Sequence, residues 1–591
     1  MSVSVLSSRS GLTVLLLSVL PAFAHAQAYE RIAPHQPPAP TTSLLVLPVQ
    51  ATKPADRSNT VLVPQLKGLI FVDNSQSVIL NGVPDTQIGI HQQGLPRLAT
   101  PEFADKISPF LGHKLTMASL NEISRITQDW YRIHGRPFLS VTIPPQNISN
   151  GIVQIVVTQY RVDSVRVVGN RWFSSNLIRR ESGLSHGQTL DLANVQADMR
   201  LLNANDFRTV NAIFSPGAQQ GTTDVTLQTK DHFPIYIYGT YDNQGVPNLG
   251  RREWGAGVVW GNAFNCGQVL SYQFTRSVTG QYNAHSVNWT VPLPWRDKIM
   301  VFGSYSTERP NLGAAGEYFN ESAHSGQASF RYVHNLPSVE LNSFVSLISD
   351  VQVGYDFKTT NNNLEFGGTK VFNGKAEIHQ FPIILDATES DGVGQAVFQD
   401  ELDLSPGDLT GSNNNTAFEK LVPGSSASYY VNQISLTRRT FLPDNFSWTS
   451  RVLGQFTNHN QMYSNQLALG GMYSVRGYDT DTVLGSEGII IQNEVRTPAF
   501  SLIRLAKLAS NVIPNDAEQL GVFFDYGHVS QVRPISGEVN AADLSSVGFD
   551  LHTTMGRYLT LAWDVGWRLH DSPTDGGRGK AFGDVSMSIG F

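Results

Sequence analysis

The chain has 591 residues, too many for one compact core, so it must hold several domains or one large barrel. Only 15% of the residues are charged, against roughly 25% in an average soluble domain, while 51 glycines and 10% aromatics suit an all-β protein with many turns and a partly lipid-facing surface. A net charge of -7, with no basic stripe to neutralise phosphates, gives no reason to expect nucleic acid as a partner; Cys266 is the sole cysteine, which excludes an internal disulfide and a cysteine-built zinc site.

Residues 1–26 read as an export signal. Arg9 is the one charge of a short leading region, "GLTVLLLSVLPAFA" is an apolar core too short to span a bilayer, and Ala24-His25-Ala26 offers a cleavage site. Residues 27–62 are rich in proline, lack a helical period and read as an extended or flexible leader. Beyond the signal no apolar run approaches the roughly 20 residues of a spanning helix. An exported chain of this kind is either a soluble periplasmic or secreted protein or a β-barrel, whose apolar face hides in every second residue.

Residues 63–159 and 160–231 carry one element order twice. In the first copy "KGLIFVDN" is a strand, and a helix begins at Pro101 with Phe103, Ile107, Phe110 and Leu111 on one face, bent or shortened by Pro109. Ser119 and Glu122 have capping-box spacing ahead of a second helix with Leu120, Ile123, Trp130 and His134, which Gly135 stops. The strands "PFLSVTIP" and "GIVQIVVTQ" follow. The second copy runs through "DSVRVVGN", a short helix over "SSNLIRRESG", a longer one with Leu192, Val195, Met199 and Leu202, then "FRTVNAIFS" and "TTDVTLQTK". Each copy is long enough for a small two-layer α+β domain.

From residue 232 onward helical periods almost vanish. "HSVNWTVPLPW" alternates Val287, Trp289, Val291, Leu293 and Trp295 on one side. "YLTLAWDVGWRL" sends Leu559, Leu561, Trp563, Val565, Trp567 and Leu569 one way and Asp564 and Arg568 the other. Such rows fit a lipid-facing wall around a wet lumen, and are heavier in Trp and Leu than a β-sandwich core needs. The final "GDVSMSIGF" puts Val585, Met587, Ile589 and Phe591 on one side, as expected of a closing strand. Spread over sixteen strands, residues 233–591 allow about 22 residues each, of which a spanning strand uses roughly 9 to 11. Sixteen strands are expected, with fourteen or eighteen also compatible.

Two stretches stand out in this region. "LALGGMYSVRGYDTDTVLGSEGIIIQNEVRT" places Val475, Arg476, Gly477 and Tyr478 in a Gly-rich loop ahead of a strand whose Glu494 and Arg496 face away from Ile489, Ile491 and Val495. In "LGVFFDYGHV" the apolar row Leu520, Val522, Phe524 and Tyr526 leaves Asp525 on the opposite, lumen face with Phe523 and Gly527. Arginine keeps its charge and makes two-pronged bonds to a carboxylate, so Arg476 is a candidate partner for Asp525. The residues alone leave open an external turn carrying Arg476 and a wet pore around Asp525.

In this order and spacing the chain resembles the transporters of the two-partner secretion pathway, the TpsB family of haemolysin and filamentous-haemagglutinin secretion/activation proteins. These lie within the superfamily of POTRA-bearing outer-membrane barrels. The repeated units resemble two POTRA domains, "TIPPQNISNG" a P-x-Q stretch, and "DNQGVPNLGRREWGAG" the first barrel hairpin. "VRGY" resembles the superfamily's loop motif and "FFDYG" its F-x-D-x-G strand motif. The likeness covers residues 63–591.

It implies a mainly β fold, a sixteen-stranded transmembrane antiparallel β-barrel behind two POTRA domains, and a loop held inside the lumen by Arg476 on Asp525. It further implies outer-membrane lipid around the barrel, barrel assembly machinery acting through Phe591, and a client that is a large β-helical secreted exoprotein. Many members add an N-terminal plug helix, for which the proline-rich leader shows no helical period. An insertase for other barrels would share both motifs, whereas a passive porin needs no repeated periplasmic module.

"QDELDLSPGDLTGSNNN" gathers Asp400, Glu401, Asp403 and Asp408 without EF-hand spacing and reads as a solvated external loop. No H-E-x-x-H, G-x-S-x-G or P-loop is present and fifteen histidines lack ligand spacing, so no enzyme, cofactor or metal is expected.

Overall fold

The computed structural model describes residues 29, 31–37, 45–46, 58–219, 221–311, 319–342, 345–366, 369–505, 516–537, 539–573 and 577–591. The export signal expected over residues 1–26 lies outside the described residues. The chain divides into two compact units, one built on residues 40–232 and the other on residues 233–591 together with the first part of the leader.

The smaller unit contains two sheets. In the first, strand β1 (Gly68–Val72) runs parallel to β2 (Gly89–Gln93) on one side and β4 (Ile152–Gln159) on the other, and β3 (Leu139–Thr142) pairs antiparallel with β4. Every residue of β1 is buried, as its unbroken apolar run requires of a central strand covered on both faces. Leu69 and Phe71 meet the helices α1 (Pro101–Ile107) and α2 (Met117–Ile133) through Phe103, Ile107, Ile123 and Tyr131. Ile70 and Val72 pack on the other face with Val83. Pro109 ends α1 as expected, passing it into a 3-10 turn over Ser108–Phe110.

Two sequence expectations need correction here. The capping box of α2 is Thr116 with Ser119, not Ser119 with Glu122: Thr116 Oγ1 accepts from Ser119 N (3.2 Å) and Ser119 Oγ from Thr116 N (2.7 Å). The helix therefore starts earlier, and Glu122 sits inside it paired with Arg125. Strand β2 was not expected at all, because "GIHQQ" is a half-exposed polar edge strand that needs no apolar alternation. The P-x-Q stretch has a local purpose: the Gln146 side-chain amide donates through Nε2 to Gln154 O (2.7 Å) and accepts at Oε1 from Gln154 N (2.8 Å), fastening the β3–β4 connection.

The second sheet holds β5 (Arg161–Val168), β6 (Arg208–Pro216) and β7 (Thr222–Asp231), backed by α3 (Ser175–Glu181) and α4 (Leu192–Asn203). Strand β7 lies between antiparallel β6 and parallel β5. Leader residues Leu45–Val46 add a short parallel strand on the β6 edge. Asp231 fixes the turn after β5 by accepting the backbone N–H groups of Arg171, Trp172 and Phe173 (2.9, 2.7 and 2.9 Å).

The larger unit is a closed antiparallel barrel of sixteen strands among the described residues, the number expected from chain length. The first six are β8 (Ile235–Asp242), β9 (Glu253–Ala263), β10 (Gln268–Ser277), β11 (Tyr282–Pro292), β12 (Lys298–Glu308) and β13 (Phe319–Asn335). A short stretch, Val339–Asn342, prolongs β13 along its neighbour. Then come β14 (Val345–Phe366), β15 (Thr369–Asp391), β16 (Gly394–Pro406), β17 (Ser428–Phe441) and β18 (Ser447–Thr457). The last five are β19 (Glu487–Arg496), β20 (Asp516–Ser530), β21 (Ala541–Met555), β22 (Leu559–Arg568) and β23 (Ala581–Gly590). The wall closes where β8 pairs with β23, from Tyr238 opposite Gly590 to Asp242 opposite Ser586.

Alternation sorts the side chains. In β20 Leu520, Val522 and Phe524 are exposed on the outside while Gly521, Phe523, Asp525 and Gly527 are buried inside. The reading of Gln399–Asn415 as one external loop is corrected, because the strand runs on to Pro406. Asp400, Glu401 and Asp403 lie on β16 and only Asp408 lies in the following loop. That loop carries a helix, α5 (Asn415–Leu421), whose Phe418 packs on inward-facing Ile378, Tyr429 and Val431.

The leader is not simply extended. Ile32 packs on Leu249, Tyr282 and Ala284, Ser286 Oγ donates to Ile32 O, and His35 N donates to Tyr238 Oη (2.8 Å). The barrel wall and the β8–β9 connection, which holds Leu249, supply these contacts, which is why leader composition alone did not suggest them.

Trp289, Trp563 and Trp567 point outward and are 36%, 46% and 39% exposed. Protein reconstituted in brominated phospholipid is expected to lose most of its tryptophan emission relative to the same protein in ordinary lipid. Undiminished emission would show that these rows do not meet hydrocarbon.

Candidate functional site

The connection between β18 and β19 turns back into the barrel. Leu467–Leu469 and Val483–Gly485 pair as a small hairpin, and its tip from Gly470 to Thr482 reaches the inner face of β20–β22. Leu469, Val475 and Tyr478 are buried against Leu453, Ile490, Val529 and Leu544. Gly477 has φ +87, and a Cβ there would meet the backbone of Gly566 in β22 at 2.8 Å. Gly566 would clash with Gly477 in return, so two glycines permit backbone-to-backbone contact between loop and wall.

Arg476 is the centre of this contact. Its Nε and Nη2 donate to the two oxygens of Asp525 (2.7 and 2.9 Å), and its backbone N donates to Asp525 Oδ2 (3.1 Å). Nη1 donates to Glu494 Oε2 (2.7 Å), and the guanidinium lies 3.6 Å above the ring centre of Phe523. Arg476 is 6% exposed and Asp525 0%. A charge this buried is stable only when its partners are complete. Arg496 extends the network, pairing with Glu494 and with Asp550 (3.1 Å).

The three spaced residues Phe523, Asp525 and Gly527 now have separate physical reasons. Phe523 offers a ring face to the guanidinium, Asp525 offers its charge, and Gly527 offers space. A Cβ on Gly527 would lie 2.5 Å from Leu469 and 3.0 Å from Val475. Tyr478 places its hydroxyl 2.8 Å from His570 O, and Arg568 donates to Gly477 O (2.8 Å) while covering the Tyr478 ring.

Several clamps were not visible as site residues in the sequence. Arg451 donates to Tyr473 O (3.0 Å), and Gln492 donates to Ser474 O (2.8 Å). Gln244 and Arg251 come from the first hairpin: Gln244 accepts from Met472 N (2.9 Å) and donates to Asp584 (2.7 Å), and Arg251 pairs with Asp479. Inward placement on a strand was the only available signal for Arg451 and Gln492, and many inward residues share it; Gln244 and Arg251 lie in the β8–β9 connection, where no pattern marks them. Among the described residues no group of His, Cys, Asp and Glu is arranged to hold a metal.

Residues 221–551 match the family described as haemolysin secretion/activation protein ShlB/FhaC/HecB. The chain belongs to that family. Residues 88–159 match its ShlB-type POTRA domain and residues 160–230 the POTRA surface-antigen variable number repeat. The heme/hemopexin transporter protein HuxB of Haemophilus influenzae (strain 86-028NP) is 22% identical over 487 residues, 79% of this chain and 80% of that protein. The outer membrane transporter CdiB of Dickeya dadantii is 22% identical over 470 residues, 78% of each. In fold, CdiB from Escherichia coli aligns with a TM-score of 0.73 at 15% identity over 93% of this chain and 94% of that one. CdiB from Acinetobacter baumannii gives 0.61 at 14% over 95% of each.

Members of this secretion/activation family are outer-membrane transporters of partner exoproteins, and the chain sits accordingly in the outer membrane with its POTRA domains in the periplasm.

Removing Arg476 leaves Asp525 buried without a counter-charge, which should cost the docked loop about 3 to 5 kcal/mol. Loop position can be read with Ser474→Cys in a Cys266→Ser background, as the rate of labelling by a membrane-impermeant maleimide. Arg476→Ala should accelerate labelling more than a hundredfold in the limit where docking controls access, since about 1.4 kcal/mol is tenfold. Exchanging the charges (Arg476→Asp with Asp525→Arg) should not restore protection, because Glu494 would then face a second carboxylate. Gly477→Ala, which changes no charge, should also expose the loop; unchanged labelling there would mean that the close backbone contact does not hold it.

Proposed function

We propose that this chain captures an unfolded exoprotein in the periplasm through its two POTRA domains and passes it through the barrel to the cell surface, with the Arg476 loop obstructing the lumen at rest. The observation that carries this reading is the loop itself, folded into the lumen and held at one buried carboxylate. A passive pore has no need of so elaborate a stopper. In this reading Val475, Arg476, Gly477 and Tyr478 are the secretion-loop motif. Phe523, Asp525 and Gly527 are its wall partner, and Glu494 and Arg496 are lumen residues that keep the arginine in place.

Edge strands such as β2 can accept an extended client as an added strand through main-chain hydrogen bonds. The sequence has no P-loop, so direction comes from outside the chain: folding of the client at the surface prevents its return. The client fitting this scheme is a large β-helical exoprotein with an N-terminal secretion domain. Outer-membrane lipid surrounds the barrel, and Phe591, exposed beside Tyr558, is the residue offered to the barrel assembly machinery.

The test compares culture supernatants of cells with and without the chain. A large secreted protein should appear only with it, and should vanish when residues 63–230 are deleted or when Arg476 or Asp525 is replaced by alanine, with barrel insertion checked separately. Full export by both single variants would remove the latch from the mechanism. An unchanged supernatant with altered levels of other outer-membrane barrels would instead favour an insertase.

A further inference from the structure

Strand β8 rises from the periplasmic end of the barrel, so the β8–β9, β10–β11 and β12–β13 connections face the cell exterior. Close to them the outward row Arg276, Asn283, Thr307 and His324 crosses β10–β13, each residue directly opposite the next. In the row beneath, on the membrane side, His285 stands opposite Tyr305. Arg276, His285 and His324 are exposed, whereas Lys375, outward on β15, is already paired with Glu377 (2.6 Å).

Both histidines are held in the same way. Tyr272 lies opposite Val287, yet its hydroxyl reaches Nδ1 of His285, two residues nearer the exterior (2.8 Å). Tyr305 lies opposite Gly326, yet its hydroxyl reaches Nδ1 of His324 by the same diagonal (3.2 Å). A phenol that donates to Nδ1 leaves the ring proton on Nε2, which is then an N–H donor for an acceptor outside the wall. Hairpin β14–β15 repeats the bond between Tyr355 and His379 (2.6 Å), but there Phe357 lies against the imidazole, which is only 7% exposed. The first two rings are open to a ligand and the third is closed.

We propose that the outward face of β10–β13 seats the headgroup of a phosphorylated glycolipid of the outer leaflet, lipopolysaccharide, with His285 and His324 each donating to a phosphate. The two histidines are two strands and two residues apart, about 12 Å, too far to share one phosphate and suited to one at either end of a disaccharide. Arg276 adds a planar, permanently charged fork on the same row, the side chain best matched to phosphate oxygens. Asn283 and Thr307 stand between these groups and offer an amide and a hydroxyl to the sugar. On the membrane side of the polar row the wall is low, because Gly303, Gly326 and Ala328 adjoin there, and an acyl chain hanging from the headgroup would run over them. A phospholipid brings a single phosphate and no sugar ring, and would leave most of these groups without a partner.

The test uses native mass spectrometry of the full chain, delipidated in detergent and titrated with bisphosphorylated lipid A, with the same lipid A stripped of its phosphates, or with phosphatidylglycerol. The native chain should hold the bisphosphorylated form more than about tenfold more tightly than either of the others. His285→Phe and His324→Phe should each weaken that binding about tenfold, while His285→Gln and His324→Gln, which keep an N–H donor, should stay within about threefold. His379→Phe removes the same tyrosine–histidine bond where no ligand can reach it and should change nothing; heat-modifiable migration on gels checks that each variant is a folded barrel. Equal binding of the two forms of lipid A, or an equal loss in His379→Phe, would show that these pairs only brace their hairpins. Phosphatidylglycerol bound as tightly as lipid A would overturn the glycolipid seat.

Discussion

A carboxylate with no solvent exposure, set in a wall that hydrocarbon surrounds, has to be paired, and Asp525 depends on one arginine for it. That constraint organises the lumen. It draws the loop between β18 and β19 inward, demands glycine where loop and wall touch, and recruits Phe523 as a face for the guanidinium. Because the pair is buried, its partners cannot be replaced by water, so loop and wall behave as two states, docked and released, with little between. In the function proposed above, a stopper with two states suits a channel that must hold back solutes until its cargo arrives.

Much of the barrel was legible because period-2 alternation is enforced by the lipid itself. A residue moved by one position would change solvent, and selection of apolar residues at every second place leaves a trace that needs no tertiary knowledge. The inward direction of Asp525 and Glu494 followed from their apolar neighbours on β20 and β19. What escaped notice was held by partners distant in sequence. Gln244 and Arg251 reach the loop across more than half of the barrel order, and nothing in "DNQGVPNLGRREW" says which of its polar residues does so. Strand β2 escaped for the opposite reason: a polar edge strand is specified by its neighbour β1, not by its own pattern. The acidic run at Asp400–Asp408 looked like a loop because Glu401 and Asp403 face inward on β16, and an inward face may be as polar as a loop; Asp400 stands on the outward row beside Leu385 and Ile434.

The long hairpin β14–β15 carries one last consequence. Strand β14 has 22 residues, about twice what a bilayer crossing takes, so part of it must stand in water. Its outward row reads Val351, Val353, Tyr355 and Phe357, then Thr359, Asn361 and Asn363; on β15 Leu385, Ile383 and Phe381 give way past His379 to Glu377 and Lys375. Phe357 faces His379 and Thr359 faces Glu377. Both strands therefore change character at one height, and that height is the waterline of the outer leaflet.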